Sequence, residues 1–353
     1  MSRYRERLER DLDGWIAEGL VPAASRTEIL ARADEGRRLD PSTALAVIGG
    51  ILAGAAVIAF VAANWSEIPR LARFVLVLAA FLTAAAGSAW ARARGRLVLF
   101  QVLLCVSALV FAAAIGLTGQ IFDLAGDPQT ALRSAGFGAS LLALAGASPW
   151  TAVVALGLFA LGDFAGPNRG FDGQVWPGWL VAIAPVAAAA AVLSRSSSLA
   201  HAAGLSAIAA VFTLGGLVSG RGEAVFLVAA MVLGSAAVFT RRLRARGLAA
   251  ARVLYGWFAW GALLFFGLAG FGEAFRGVGH SLVWLMLATG VVALGRHDRH
   301  GLVTAAGVVG LLTAGFSLLA NLGVDLMLAA GVFGLASLAA LGVAFVLRRG
   351  RAA

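Results

Sequence analysis

The sequence predicts an all-α polytopic integral membrane protein of about twelve transmembrane helices, with a short amphipathic helical hairpin ahead of them. Three observations predict this. Of the 353 residues, 60% are hydrophobic and only 13% charged, against about 25% charged in ordinary soluble domains. Apolar runs recur along the chain at about 20 residues, the length with which a helix crosses the hydrocarbon core. All 28 basic residues are arginine; beyond the N-terminal tail they cluster in the short segments between those runs, as the positive-inside rule requires.

Inside a bilayer only helices or a closed barrel satisfy every backbone hydrogen bond, and runs rich in Ala, Leu and Gly without alternation choose helices. The formal charge of +10 would suit nucleic acid, but arginines confined to inter-span loops exclude that partner. Cys105, the single cysteine, forms no intrachain disulfide. The N-terminus lacks a short apolar core and a small-residue cleavage site, so the first span is expected to be the insertion signal.

Residues 1–40 form a polar tail with eight Arg and nine acidic residues. Leu8, Leu12, Trp15 and Ile16 fall on one helical face, Gly19 and Pro22 break the helix, and Ser25 is placed to cap a second helix carrying Ile29 and Leu30. This cytoplasmic hairpin is too short for its own core. It packs on the membrane part, lies on headgroups or binds a protein partner.

Twelve spans are expected, at about 44–63, 71–90, 97–118, 131–146, 149–162, 177–193, 199–219, 223–240, 249–271, 279–294, 301–320 and 324–347. With both termini cytoplasmic in a bacterial inner membrane, the inner segments hold 22 arginines and the outer loops and their flanks only Arg70, Arg73, Arg133, Arg169, Arg221 and Arg276. Acidic residues beyond the tail fall outside, except Asp298. Merging the short fourth and fifth spans, joined at Ser148-Pro149, would invert every later loop, so they are kept as a hairpin. ARARGRLVLF at 91–100 returns as RARGLAAARV at 244–253, and GLTGQIF at 116–122 as GLAGFGEAF at 267–275. That offset suggests two parallel six-helix halves, residues 41–194 and 195–353, an arrangement found among transporters.

Most of the non-repetitive polar chemistry beyond the tail sits in two outer turns. In the first, Asn64 and Trp65 close a span while Ser66, Glu67 and Pro69 open the next. Capping accounts for Ser66, the helix dipole for Glu67, the first helical turn for Pro69 and the interfacial aromatic belt for Trp65, and Glu67 with Arg70 is an ordinary i,i+3 pair. In the second, Asp127-Pro128 reads as a cap followed by the first helical residue. Asp123 has no such local role. If the third span continues through the turn, Gln120 and Asp123 share a face beside Gly116 and Gly119. Asn64, Trp65, Glu67, Arg70, Gln120, Asp123 and Asp127 are therefore the candidate binding residues, forming a polar cluster at the outer rim.

VAANWSEIPR and GQIFDLAGDP, in these turns, resemble the hallmark segments of domain-of-unknown-function family 2157, bacterial predicted membrane proteins. The resemblance covers roughly residues 5–150 and includes the amphipathic tail. It implies an integral membrane protein and transfers no activity and no catalytic residue.

No phosphate loop, HExxH, G-x-S-x-G or CxxC occurs, and no cofactor is expected. His297, Asp298 and His300 lack a sulfur or a clear third ligand, and no metal is assigned to them. The span centres are essentially uncharged, which argues against a proton-driven pump of small polar solutes. The expected function is non-enzymatic: a transporter-like protein or envelope scaffold handling lipid or amphiphile. Two alternatives stand beside it. One is a transferase using a lipid-linked donor with Glu67 and Asp123 as its carboxylates, and the other is a sensor signalling through the tail.

Overall fold

Helices occupy every described stretch that the sequence assigns to a span. The computed structural model describes residues 3–35, 67–123, 126–166, 178–215 and 222–324, with four isolated positions beyond. The first predicted span, and the last but for Val324 and those four positions, lie outside them. The chain divides into two units, Met1–Pro69 and Arg70–Ala353.

The N-terminal unit contains α1 (Arg3–Ala17) and α2 (Ser25–Glu35), the two tail helices expected from the spacing. Leu12 and Leu30 are buried, whereas Trp15 and Leu20 are exposed. The Arg26 Nε donates to Asp13 Oδ1 at 2.9 Å and links the helices.

The second unit contains α3 (Arg70–Ala93), α4 (Leu97–Ile121), α5 (Pro128–Gly146), α6 (Pro149–Phe164), α7 (Leu180–Leu193), α8 (Ser197–Gly215), α9 (Gly222–Arg244), α10 (Ala249–Ala269), α11 (Val278–His297) and α12 (Gly301–Asn321). They fall on the second to eleventh predicted spans. Seven (α3, α4 and α8 to α12) are long and apolar enough to cross a membrane; α6 and α7 are shorter apolar helices. The hairpin expected at Ser148-Pro149 is present as α5 and α6, with the Ser148 hydroxyl accepting from Thr151 N at 3.2 Å.

The core centres on α10. Its Leu254, Tyr255 and Phe265 are almost completely buried and share one apolar cluster with Leu156 of α6, Leu199 and Ala203 of α8, Leu233 of α9 and Val303 of α12. Between helices in lipid there is little hydrophobic drive, so association depends on close van der Waals packing through small residues. The α11–α12 contact illustrates it. A Cβ at Gly307 would stand 2.6 Å from the backbone nitrogen of Val292 and 3.0 Å from the Ala288 carbonyl oxygen, so no side chain fits there.

At the arginine-rich ends of α9 to α12 a polar lock joins four helices. Asp298, in the turn after α11, receives Arg241 Nε at 2.6 Å and Arg241 Nη2 at 2.9 Å. It also receives the Tyr255 hydroxyl at 3.2 Å. Arg244 Nη2 donates to the Asp298 carbonyl at 2.6 Å. The arginines hold the Asp298 carboxyl below its ordinary value, chiefly through the Arg241 hydrogen bond and against the cost of burial. His300, buried at the start of α12, has Nε2 2.8 Å from the Arg252 carbonyl oxygen and accepts from Val303 N at Nδ1, 3.4 Å away. A carbonyl only accepts, so the ring is neutral with its proton on Nε2.

Burial is the largest cause pushing His300 below its ordinary value of 6.5; the hydrogen bond to the Arg252 carbonyl opposes it, and the charges of Arg252 and Arg244 push the same way as burial. A depressed folded pKa gives stability that is complete above the unfolded value and lost as pH falls through the folded one. Thermal unfolding of detergent-solubilised protein should therefore show stability declining as pH falls from about 6.5 to 5. His300→Gln should be less stable at pH 7 and flat across that interval; a variant with the wild-type slope would refute this.

Candidate functional site

The candidate site is built where α3 begins, α4 ends and α5 begins. One turn of α3 sends two side chains to the end of α4. Phe74 meets Phe122 edge to face with ring centroids 5.9 Å apart, and Arg70, four residues earlier, reaches Asp123 with Nη2 2.8 Å from Oδ2. The helix does not continue through the turn. It stops at Ile121, and Asp123 takes a left-handed φ of 50°, a conformation that Asp tolerates better than most residues. Gln120 and Asp123 therefore do not share a helical face, yet both line the same groove.

Asp127 is the N-cap of α5. It accepts from Gln129 N at 3.3 Å, Thr130 N at 3.0 Å and the Thr130 hydroxyl at 2.9 Å, and Pro128 takes the first helical position. Partial removal from water pushes its carboxyl upward. The bonds from Thr130 and Gln129, with the charge of Arg133, outweigh this and hold it below the ordinary value.

The groove between α3, α4 and α5 has a volume of about 1130 Å³. Phe74, Leu78, Phe81, Phe111 and Ile115 form its apolar wall, and Gln120, Asp123, Asp127 and Thr130 its polar end. Arg70, Gln120, Asp123 and Asp127 are thus gathered around one opening. Glu67 is an exposed turn residue of the N-terminal unit, and Asn64 and Trp65 lie outside the described residues.

A second polar cluster, which the sequence does not announce, lies nearby. Arg133 of α5 and Asp163 of α6 form an ion pair at 3.1 Å with side chains 11% and 0% exposed. Arg133 Nε also donates to Asp163 Oδ1 at 3.2 Å. The other oxygen, Oδ2, accepts from Leu180 N at the start of α7, 2.9 Å away. Gly178 has a φ of +84°, and a Cβ there would stand 2.6 Å from that oxygen, so glycine is required on both counts. Gln129 Nε2 donates to the Gly166 carbonyl at 2.8 Å. The sequence places Arg133 and Asp163 in outer loops and flanks; Arg133 stands more than one turn inside α5, and Asp163 is in the last turn of α6, one residue from its end. They are equally spaced about Ser148, where the hairpin turns, and that symmetry is the signal that would have paired them.

The arrangement suits binding better than catalysis. The two carboxylates at the groove are committed to an arginine and to a helix cap, and the Thr130 hydroxyl is taken up in that cap. Among the described residues no three His, Cys, Asp or Glu side chains converge as a metal site would need.

Residues 13–152 match the family model described as Predicted membrane protein (DUF2157), so the matched stretch contains every residue that lines the groove. No curated protein and no solved structure matches the chain.

The two ion pairs should behave differently on mutation. Exposed pairs contribute about 0–1 kcal/mol, and the Arg70–Asp123 side chains are 65% and 72% exposed. Breaking a buried pair strands a charge and costs about 3–5 kcal/mol. Asp123→Asn should leave the unfolding temperature within a few degrees of wild type, while Asp163→Asn or Arg133→Gln should lower it sharply. Equal effects would show that exposure does not set the ranking.

Proposed function

We propose that the protein is a multi-spanning inner-membrane protein that handles lipid or another amphiphile without catalysing its conversion, as a transporter-like protein or an envelope scaffold. The observation that carries this reading is the groove at α3, α4 and α5, whose apolar length and polar end match a molecule with a tail and a headgroup. Supporting it, every Asp, Glu and Arg within α3 to α12 lies in the first or last two turns of its helix. A proton-coupled pump would be expected to place one near the midplane. The oxygens at the groove offer hydrogen bonds to a headgroup, while a transferase would need a carboxylate free to take a proton.

Both termini are proposed to be cytoplasmic, with the groove's polar end outside, from the arginine asymmetry. In a Cys105→Ala background, a membrane-impermeant thiol reagent applied to intact cells should label a cysteine at Gly126 and not one at Ala245. Labelling at Ala245 would reverse the topology.

Lipid handling is tested with a photoactivatable phospholipid in reconstituted vesicles, followed by peptide mass spectrometry. Adducts should concentrate on Phe81 and Phe111 in the groove, above those on Leu141 and Leu144, which are 68% and 78% exposed. The groove-filling Leu78→Trp should remove that excess. Labelling that simply follows exposure would defeat the proposal.

A further inference from the structure

We propose that a second cavity, between α10, α11 and α12, binds an anionic phospholipid, with Arg276 on the phosphate. The cavity has a volume of about 860 Å³, within the range of about 300–1,000 Å³ usual for ligand sites. Its walls are apolar, with Trp260, Leu264 and Phe316 prominent, and its polar groups include Arg276, Ser317 and Asn321. None of its described lining residues is acidic.

The turn that carries Arg276 is held on two sides. Glu223, at the start of α9, accepts from Ala274 N at 3.0 Å. Asn321, at the end of α12, donates from Nδ2 to the Gly277 carbonyl at 3.4 Å and to the Ser281 hydroxyl at 2.9 Å. Ser281 and Ser317 are joined at 3.0 Å, and Arg276 N bonds the Gly272 carbonyl at 3.0 Å. Glu223 and Asn321 are thereby engaged in fixing the turn. Among the described residues no carboxylate pairs with the Arg276 guanidinium.

A guanidinium that no described carboxylate pairs, at an apolar cavity, selects for negative charge, and its planar fork matches phosphate oxygens in bidentate fashion. A zwitterionic headgroup would bring an ammonium to a cavity whose described lining offers it no carboxylate. Here this cavity differs from the α3–α5 groove, whose end carries Asp123 and Asp127 beside Arg70. The acyl chains lie along the apolar wall and leave through the cavity's open side. The assignment is independent of the groove: Arg276→Gln leaves the groove residues unchanged, and Leu78→Trp leaves this cavity unchanged.

Native mass spectrometry of the full chain in mild detergent tests it, with phosphatidylglycerol and phosphatidylcholine of matched chains. One phosphatidylglycerol should be retained with a preference of about fivefold, the value of one arginine near a headgroup. Arg276→Gln should remove one retained phosphatidylglycerol from the distribution and leave phosphatidylcholine unaffected. Val309→Trp, which fills the cavity, should remove binding of either lipid there. Should that variant fail to fold, exposed Arg276→Gln decides alone. A lipid distribution in Arg276→Gln identical to wild type overturns the proposal. So does equal retention of both lipids by wild type, and displacement of phosphatidylglycerol by equimolar palmitate overturns the phospholipid assignment.

Discussion

A carboxylate withdrawn from water among apolar helices must take its countercharge with it, because the pair's desolvation is offset only by close geometry and full hydrogen bonding. Among the described residues two aspartates meet that condition, and much of the architecture follows from how they do so. Asp163 joins α5, α6 and α7 by accepting from Arg133 and from the first backbone N–H of α7. Asp298 joins α9 and α10 to the α11–α12 turn by accepting from Arg241 and Tyr255. Small residues bring the helices close but give little direction. These two carboxylates each tie three segments at once, and they stand at helix ends where the side chains need not cross the bilayer interior.

What could be read from the sequence depended on the range of each interaction. Asp127 caps α5 as its position before Pro128 implies, because a cap is satisfied within three residues. The helices themselves were legible for the same reason, since an apolar run in lipid has one way to satisfy its backbone. Asp123 was legible only as an anomaly: its partner Arg70 lies in another turn, and its left-handed backbone has no pattern in the flanking residues. Arg133 and Asp163 were read as loop charges because a charge near a span end is ordinarily solvated. Their burial is a property of the three-helix packing around them. Likewise the α10–α12 cavity draws its polar groups from turns and helix ends far apart in sequence, so no motif marks it.

The two openings differ in a way that bears on what each could hold. The α3–α5 groove ends in both signs of charge, the acids already engaged. The α10–α12 cavity offers a single cation among apolar walls. An amphiphile entering the first would meet acceptors and an ion pair it must compete with; one entering the second would meet a guanidinium that no described carboxylate pairs. A protein with both could hold different lipid classes at different places.

The clamps around Asp163 have a practical consequence. Gly166 is tied through its carbonyl to Gln129, and Leu180 through its N–H to Asp163, so the chain is anchored on the bundle on both sides of residues 167–177. As the first N–H of α7, that of Leu180 has no carbonyl partner within its own helix, so its bond to Asp163 is what shields it from solvent. Slow deuterium exchange at this one amide therefore reports whether Asp163 is seated between its partners.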